Sequence, residues 1–222
     1  NYYFYDVGRL MGGTIFNYLK LYGFGQKTGV EIGESSGIQQ SPEYMSAIGG
    51  NWVGGDYLQL AIGQRGSYTP IQLAAYTMMI ANGGTRYKTH FIKSIRSYDG
   101  KSETVIPSEV VAEVEWSDEA MNSVRKGMIA VGKTGTARAS FASAPYTVAC
   151  KTGTAQTGVT GASDHGTFIA YAPADNPEIA IAVVVENGTS AASASVARQV
   201  LDAYFDGKNE GEPPTQEGVL LP

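Results

Sequence analysis

The sequence contains little of the side-chain chemistry that builds metal sites and disulfides. Its 222 residues include one cysteine, Cys150, and two histidines, His90 and His165. A single cysteine excludes an intrachain disulfide and any cysteine-based metal cluster. Neither histidine belongs to an H-x-x-x-H or H-E-x-x-H pattern, so a histidine-based zinc site is not expected. We therefore predict that the chain uses neither a metal nor another cofactor.

An excess of basic residues and long apolar runs are also missing. The 16 lysines and arginines stand against 21 aspartates and glutamates, which gives a net charge of −5. A surface that binds nucleic acid must neutralise phosphates, so we expect no nucleic-acid partner. No apolar run of about 18 residues, the length of a membrane span, is present. The opening "NYYFYDVG" already has a helical pattern and no signal-peptide features, which suggests a fragment of a longer protein.

The first 25 residues have the apolar spacing that is typical of helices. Phe4, Val7, Leu10 and Met11 fall on one apolar stripe. Gly12-Gly13 should interrupt the helix, with Thr14 as the N-cap of a second one. The hydrophobic content of 43% is enough for one sizeable core in a chain of this length.

Two more helices are predicted in the middle of the chain. One begins at Pro70, after the N-cap Thr69, and ends at Gly83-Gly84. The other extends from Ser117 to Val131, with an apolar face and acidic residues in its first turn. Gly132 is expected to follow this second helix as its C′ residue.

The last third of the chain has the spacing of an antiparallel meander. Its three strand candidates are "YTVACKTGTAQT", "HGTFIAYAP" and "EIAIAVVVEN". Two earlier candidates, residues 89–98 and 103–115, flank the turn "YDGKS". A closing helix should direct Val196, Val200 and Leu201 toward the core, and residues 206–222 read as a polar C-terminal tail. The predicted fold class is α+β, an antiparallel sheet flanked by helices.

The stretch "GMIAVGKTGT" at residues 127–136 fits two motifs of different chemistry. Its first eight letters match the phosphate-loop pattern G-x-x-x-x-G-K-[ST], in which backbone N–H groups at the start of a helix surround an anion. Here the match lies at the end of a predicted helix, where carbonyl groups point outward. Bulky Met128, Ile129 and Val131 also occupy positions that are usually small. We expect no phosphate site.

The word K-T-G occurs three times, at Lys27-Thr28-Gly29, Lys133-Thr134-Gly135 and Lys151-Thr152-Gly153. Such a triplet supports chemistry when a strand beside a cleft fixes the lysine and threonine side chains. The first copy lies in a glycine-punctuated loop and the second follows a helix. Only the third lies inside a predicted strand, so we predict that the third copy forms the site.

Six segments, in this order along the chain, resemble the transpeptidase domain of penicillin-binding proteins. Their sequences are most similar to the class B, monofunctional branch. They are "NYYFYDVG", "YGFGQKTGVEIGE", "GDYLQLAIGQ", "YTPIQLAAYTMMIANGG", "APYTVACKTGTAQTG" and "DHGTFIAYAPADNPEIAIAVVVENG". The resemblance covers most of residues 1–205. It implies that these residues form the C-terminal portion of a single transpeptidase domain. The implied fold is that of serine β-lactamases and penicillin-binding proteins, incomplete in this chain.

The resemblance implies three catalytic motifs, in the order S-x-x-K, S-x-N and K-T-G. Lys151-Thr152-Gly153 matches the third, and Asn1 matches the last residue of the second. The first motif, which carries the nucleophilic serine, would lie upstream of this chain. The one literal S-x-x-K, Ser123 to Lys126, stands after the position of S-x-N and in the middle of a predicted helix. We do not expect Ser123 to be the nucleophile.

A role for each matching residue follows from the resemblance. Lys151 would supply positive potential and help to hold the serine of the second motif. Thr152 would offer its hydroxyl to the substrate carboxylate, and Gly153 would keep the cleft open. Thr154 would donate its backbone N–H to the oxyanion and its hydroxyl to the carboxylate. Asn1 would orient the substrate amide.

The sequence departs from the family pattern at two positions. Cys150 stands where glycine or alanine is more frequent, and we interpret it as a small buried strand residue. Thr167 stands where tryptophan is common, which is expected to alter packing beside the catalytic strand. His165 is interpreted as a structural hydrogen-bonding residue at the start of a strand.

The implied function is a peptidoglycan D,D-transpeptidase that acts through a serine acyl-enzyme on D-Ala-D-Ala stem peptides and is a target of β-lactams. Implied partners are the N-terminal part of the same protein, which carries S-x-x-K, and cell-wall elongation or division proteins. The implied location is the extracytoplasmic face of a bacterial cell membrane, with the anchor outside this chain. A β-lactam sensor, a D,D-carboxypeptidase of the same fold, or an inactive interaction piece remain alternatives.

Overall fold

A computed structural model of the chain describes residues 1–210. The helices are α1 (Tyr2–Met11), α2 (Ile15–Leu21), α3 (Pro42–Ala47), α4 (Gly54–Ala61), α5 (Pro70–Ala81), α6 (Asp118–Lys133), α7 (Arg138–Phe141) and α8 (Ser190–Glu210). The strands are β1 (Thr85–Tyr87), β2 (Ser94–Arg96), β3 (Glu103–Val105), β4 (Val110–Glu113), β5 (Ala149–Ala155), β6 (His165–Ala172) and β7 (Ile179–Val185).

The end of α8 bears on the predicted tail. The helix continues through Glu210, so residues 206–210 are helical, and the rest of the predicted tail, residues 211–222, lies outside the described residues. The division of the chain at residue 205 stays a prediction. None of the helices within residues 1–210 is long and apolar enough to cross a lipid bilayer.

The main sheet is an antiparallel meander in the order β5-β6-β7, as predicted from the strand spacing. Its register places Gly153 of β5 opposite Thr167 of β6, and Thr152 opposite Phe168. Alternate residues of a strand face opposite sides of the sheet. Phe168 therefore faces one layer of helices while Tyr171 faces the other, and both side chains are buried.

Helices cover both faces of the sheet. On one face, Phe141 of α7 stacks against Phe168 with ring centroids 5.5 Å apart, and α8 packs beside them. On the other face, α5 and α6 pack around Tyr171 with Ile80 and Met128. The predicted α+β class, an antiparallel sheet flanked by helices, is confirmed in the described residues.

The face of α8 that packs on the sheet differs from the prediction. Leu201 is buried as expected, but Val196 and Val200 are 43% and 45% exposed. The buried face instead carries Ala194 and Ala197 together with Leu201. Small side chains let the helix approach the sheet closely, so hydrophobicity alone pointed to the wrong positions.

The N-terminal helices form as predicted but pack differently. Phe4 and Leu10 of the expected apolar stripe are exposed, and α1 instead contacts α4 through Gly8, its one buried residue. A Cβ on Gly8 would lie 2.6 Å from the carbonyl oxygen of Tyr57, so only glycine fits this crossing. Thr14 does not cap α2, since its hydroxyl donates to the carbonyl of Met11 at 2.6 Å.

The helix α5 begins as the sequence predicts. The Thr69 hydroxyl accepts from the backbone N–H of Gln72, and the Gln72 side chain accepts from the backbone N–H of Thr69. These reciprocal bonds satisfy two N–H groups that a helix start leaves free. Gln72 also donates to the carbonyls of Gln26 and Ser36, so the buried cap holds the preceding loop.

The strand predictions in the middle of the chain are correct only in part. The turn "YDGKS" joins β2 to β3 as a hairpin with Ser94 opposite Val105. The expected second strand over residues 103–115 is divided in two, and its second half, β4, pairs with β1. Pro107 lies at the division and has no N–H to offer a strand partner.

The end of α6 corrects the interpretation of Gly132. The helix does not stop at Val131 but continues through Lys133, so Gly132 is an interior residue and is buried. A Cβ on Gly132 would lie 2.8 Å from Cγ1 of Val148 and 3.5 Å from Sγ of Cys150. This glycine therefore allows α6 to lie directly against the start of β5.

We predict opposite effects of alanine at two glycines of α6. Gly127→Ala should stabilise the protein by about 0.5–1 kcal/mol, because alanine favours helix and the added Cβ meets no atom beyond its neighbouring helix backbone within 4 Å. Gly132→Ala should destabilise it by roughly 1–3 kcal/mol, because the buried, stiff Val148 side chain has to move. Urea denaturation measures both, and stabilisation by Gly132→Ala would contradict the packing described here.

Candidate active site

The strand β5 is buried where it begins and exposed where the third K-T-G lies. Ala149 and Cys150 are fully buried against the helices, whereas the side chains of Lys151 and Thr154 are exposed. Thr152 and Gly153 are half-buried. The packed start of the strand thus fixes the backbone of residues whose own side chains remain accessible, as a site requires.

The outer edge of β5 presents the backbone of Thr152 and Thr154. The carbonyl of Thr152 accepts from Nζ of Lys151, and the carbonyl of Thr154 accepts from Nε2 of Gln64 at 3.1 Å. Both carbonyls therefore point away from β6. In an antiparallel ladder a residue directs its N–H and C=O to the same side. The N–H of Thr154 consequently faces this open edge, where it can donate to an anion.

Gly153 is required by its cross-strand neighbour. A Cβ at Gly153 would overlap the hydroxyl oxygen of Thr167, the residue opposite it on β6. The resemblance assigned Gly153 to keeping a cleft open and noted Thr167 only as a departure. The geometry joins the two observations, because Thr167 occupies the space that a side chain at position 153 would fill.

A cavity of about 510 Å³ lies beside the strand. Its walls combine strand residues with the end of α4 and the following loop, among them Leu60, Gln64, Tyr68, Gly153, Thr154 and Thr167. Gln64 thus lines the cavity and also bonds the edge of β5. The sequence interpretation gave no role to Gln64, although it lies in the family-like segment "GDYLQLAIGQ".

The loop that presents Gln64 is held by an ion pair in which Asp56 is buried and Arg65 is partly exposed. Arg65 pairs with Asp56, whose other carboxylate oxygen accepts from the backbone N–H of Val53 at 2.8 Å. Arg65 also donates to the side chain of Gln40 at 3.1 Å. Loss of Arg65 would leave the buried carboxylate of Asp56 without its cation, which is costly. This network therefore fixes the loop beside β5.

Lys151 carries the only charge of the third K-T-G. It forms no ion pair within residues 1–210, so no neighbouring carboxylate there cancels its charge. Its ammonium group lies over the open edge of the strand, bonded to the carbonyl of Thr152. This position places a positive charge at the edge of the strand.

The other two copies of K-T-G have different environments. In the first, the carboxylate of Glu34 accepts bonds from the hydroxyl and N–H of Thr28 and from the N–H of Gly29, all at 2.8–2.9 Å. That copy is a loop closed on itself, as predicted. In the second, Lys133 ends α6 and Thr134 is its C-cap. The phosphate-loop match therefore lies along a helix and its C-terminal end, also as predicted.

Three other sequence candidates lie outside this strand edge. Asn1 is the N-cap of α1, and no hydrogen bond within residues 1–210 joins it to β5, so its place in the site stays a prediction. Ser123 is exposed in the middle of α6. Lys126, the last residue of the same S-x-x-K match, is exposed as well. His165 accepts the backbone N–H of Asn187 on Nδ1 at 3.0 Å, which is the structural role expected of it.

Cys150 has the environment of a structural cysteine. It is fully buried, and burial raises the pKa of its thiol to about 12, despite the opposing effect of nearby Lys151. The thiolate is the reactive form of cysteine, so this thiol stays protonated and inert at neutral pH. Within residues 1–210 no group of three or more histidine, cysteine, aspartate or glutamate side chains could hold a metal ion.

We predict that Cys150 is protected from thiol reagents in the native protein. Incubation with dithionitrobenzoate at pH 8 should release no thionitrobenzoate until denaturant is added, since the thiol is both buried and protonated. Absorbance at 412 nm measures the release. Rapid release from the folded protein would contradict the buried position.

Comparison with known protein families identifies the family of this chain. The family model of the penicillin-binding protein transpeptidase domain matches residues 1–206. The chain belongs to this family. Penicillin-binding protein 2A of Bacillus subtilis is 37% identical over 218 residues, with 89% of this chain and 29% of that protein covered. Peptidoglycan D,D-transpeptidase MrdA of Acinetobacter baumannii is 35% identical, with 91% and 33% covered.

Solved structures of family members have the same fold. Pseudomonas aeruginosa PBP2, solved in complex with WCK 5153, superimposes with a TM-score of 0.78 at 34% identity, over 95% of this chain and 49% of that chain. Helicobacter pylori PBP2, solved in complex with MreC, gives 0.76 at 29% identity, over 94% and 39%. The predicted penicillin-binding-protein-like fold is confirmed. The chain spans about a third of the length of the curated relatives it matches.

We predict that Gly153→Ala destabilises the protein by roughly 1–3 kcal/mol, because the added Cβ overlaps the Thr167 hydroxyl. Removing that hydroxyl in the double variant Gly153→Ala/Thr167→Ala should restore most of the loss, since the remaining Cβ of residue 167 is 3.6 Å away. Thermal denaturation of the single and double variants tests the coupling. Additive losses would show that the two residues do not interact.

Proposed function

We propose that this chain is the K-T-G-bearing part of a peptidoglycan D,D-transpeptidase. The observation that supports it most is the open edge of β5, where Lys151 supplies a positive charge and Thr154 directs its backbone N–H outward. An anionic intermediate beside this edge would meet a preorganised donor and a cation together. Such electrostatic preorganisation is the main source of catalysis in acyl transfer.

The proposed reaction has two acyl-transfer steps. A serine hydroxyl attacks the carbonyl carbon of the D-Ala-D-Ala bond in a stem peptide, and the oxyanion that forms accepts the N–H of Thr154. The peptide C–N bond breaks, and D-alanine leaves with a proton and an acyl-serine ester remains. An amine of a neighbouring stem then attacks the ester carbonyl and forms the cross-linking amide. The ester C–O bond breaks, and a proton of the attacking amine passes to the serine oxygen. A β-lactam would form an analogous acyl-serine ester by opening of its cyclic amide, and its amine would stay attached to the acyl group instead of leaving.

The remaining residues of the edge would hold the substrate. The hydroxyls of Thr152 and Thr154 would donate to the terminal carboxylate, and the charge of Lys151 would favour the same anion. Asn1 would hold the substrate amide through its side chain. Gly153 contributes no side chain, so the substrate backbone can lie against the strand.

The nucleophilic serine would come from a segment upstream of Asn1. The cavity of about 510 Å³ beside Gly153 and Thr154 has room for such a segment and is lined mainly by apolar groups such as Leu60. A serine entering from this side would stand next to the N–H of Thr154. The relatives are about three times as long as this chain, which leaves sequence for the S-x-x-K motif.

Partners and location follow from the same family membership. We propose that the full-length protein works at the extracytoplasmic face of a bacterial membrane, anchored by a segment outside this chain. The solved complex of Helicobacter pylori PBP2 with MreC supports a partner among the cell-wall elongation or division proteins.

A penicillin-labelling experiment tests the proposal. A fluorescent penicillin should acylate the full-length protein and leave the 222-residue chain unlabelled. Lys151→Ala in the full-length protein should slow acylation by at least about 100-fold, the order of loss that removal of one preorganised electrostatic group typically causes. Lys133→Ala is the matched control, because Lys133 belongs to the copy of K-T-G at the end of α6 and should change nothing.

Labelling of Ser123, or equal acylation of Lys151→Ala and wild type, would refute the site. A D-Ala-D-Ala stem peptide offered with an acceptor amine then separates the activities. Release of D-alanine with formation of the cross-linked product supports a transpeptidase. Release without cross-link indicates a D,D-carboxypeptidase, and labelling without turnover indicates a β-lactam sensor.

A further inference from the structure

The turn after α6 touches the third K-T-G. The hydroxyl oxygens of Thr136 and Thr152 are 2.8 Å apart, within hydrogen-bond distance. Thr136 ends the stretch "GMIAVGKTGT", whose phosphate-loop and K-T-G matches lie along α6 and its C-terminal end. Gly132 of this stretch packs against the start of β5, and Thr136 contacts a side chain of the K-T-G itself.

The backbone on both sides of Thr136 is fixed. The N–H of Gly135 donates to the carbonyl of Ala130 at 2.8 Å, and the N–H of Ala137 donates to that of Val131 at 3.1 Å. Ala137 is 1% exposed and belongs to the core between the sheet and α8. Thr136 is thus held between the hydrogen-bonded end of α6 and a buried residue. This arrangement keeps its hydroxyl within hydrogen-bond distance of Thr152.

The two hydroxyls have to divide their roles. Each hydroxyl has one proton to donate and can accept through its lone pairs. If Thr152 donates its proton to a carboxylate, the bond to Thr136 needs the proton of Thr136. We propose that Thr136 is a positioning residue that donates to Thr152 and thereby directs the Thr152 proton toward the terminal carboxylate of the substrate. This inference rests on the role proposed above for Thr152.

The hydrogen bond from Thr136 also makes the Thr152 hydroxyl a stronger donor. A hydroxyl that accepts a hydrogen bond becomes a better donor, by roughly 10–30% per bond in a chain. Without Thr136, the Thr152 hydroxyl could rotate and donate elsewhere. The loss should therefore be confined to ligands that carry the carboxylate, whereas a general loosening of β5 would affect every substrate alike.

The test uses the full-length protein and two D-alanyl thioester substrates, one whose leaving group ends in a carboxylate and one in which that carboxylate is an amide. Thr136→Val should lower kcat/KM for the carboxylate substrate about tenfold, the usual effect of one hydrogen bond. The amide substrate should change less than about twofold. Thr136→Ser, which keeps the hydroxyl, should retain the wild-type preference.

Thr134→Val is the matched control in the same turn. The Thr134 hydroxyl bonds the carbonyl of Ala130 at 3.2 Å and does not contact β5, so both substrates should react as with wild type. Thr136→Ala repeats the test with a smaller side chain if valine perturbs folding, and thermal denaturation checks every variant. A loss that is equal for both substrates, or absent for both, would overturn the inference.

The variant Thr152→Val separates this inference from the proposed function. If it lowers the rate for the carboxylate substrate selectively and Thr136→Val does not, only the role of Thr136 is refuted. If it has no selective effect, the role proposed for Thr152 fails and that of Thr136 fails with it. In the double variant, the loss of carboxylate preference should not exceed that of Thr152→Val, because both changes remove one linked interaction.

Discussion

The close contact between α6 and the start of β5 is the constraint on which the site depends. Gly132 has no side chain, so the helix lies directly against Val148 and Cys150. This packing buries the first residues of the strand and fixes its direction. The residues that follow, from Lys151 to Thr154, leave the packed region as an ordered edge. The same approach places the turn after α6 beside the strand, which brings the Thr136 hydroxyl to Thr152.

A second constraint acts across the sheet and from the neighbouring loop. Thr167 fills the space next to Gly153, and Gln64 bonds the carbonyl of Thr154 from a loop held by the Arg65–Asp56 pair. Thr167 thus restrains β5 from the neighbouring strand, and Gln64 restrains it from its open edge. The exposed charge of Lys151 then stands over a backbone that cannot easily move. The electrostatic site proposed here would need this order, because donors that reorganise lose much of their effect on a reaction.

The three copies of K-T-G show that environment gives a short motif its meaning. In the copy at Lys27, the backbone N–H groups and the threonine hydroxyl already donate to the carboxylate of Glu34. The copy at Lys133 ends a helix, where carbonyl groups are free and donors are not. Only the copy at Lys151 has a strand edge with outward N–H groups. The loop, helix-end and strand environments of the three copies were predicted correctly, because periodicity distinguishes these structures.

The sequence by itself determined the meander, the start of α5 and the position of Lys151, because alternation, capping residues and turn residues are local signals. Only the tertiary structure decided where elements approach closely. It buried Gly8 instead of the stripe at Phe4 and Leu10, and it placed Gly132 inside a helix. The tertiary structure also brought Gln64 and Thr136 within hydrogen-bond distance of β5. The physical reason is that a close contact depends on the volumes of two distant segments together, and neither segment carries that information alone.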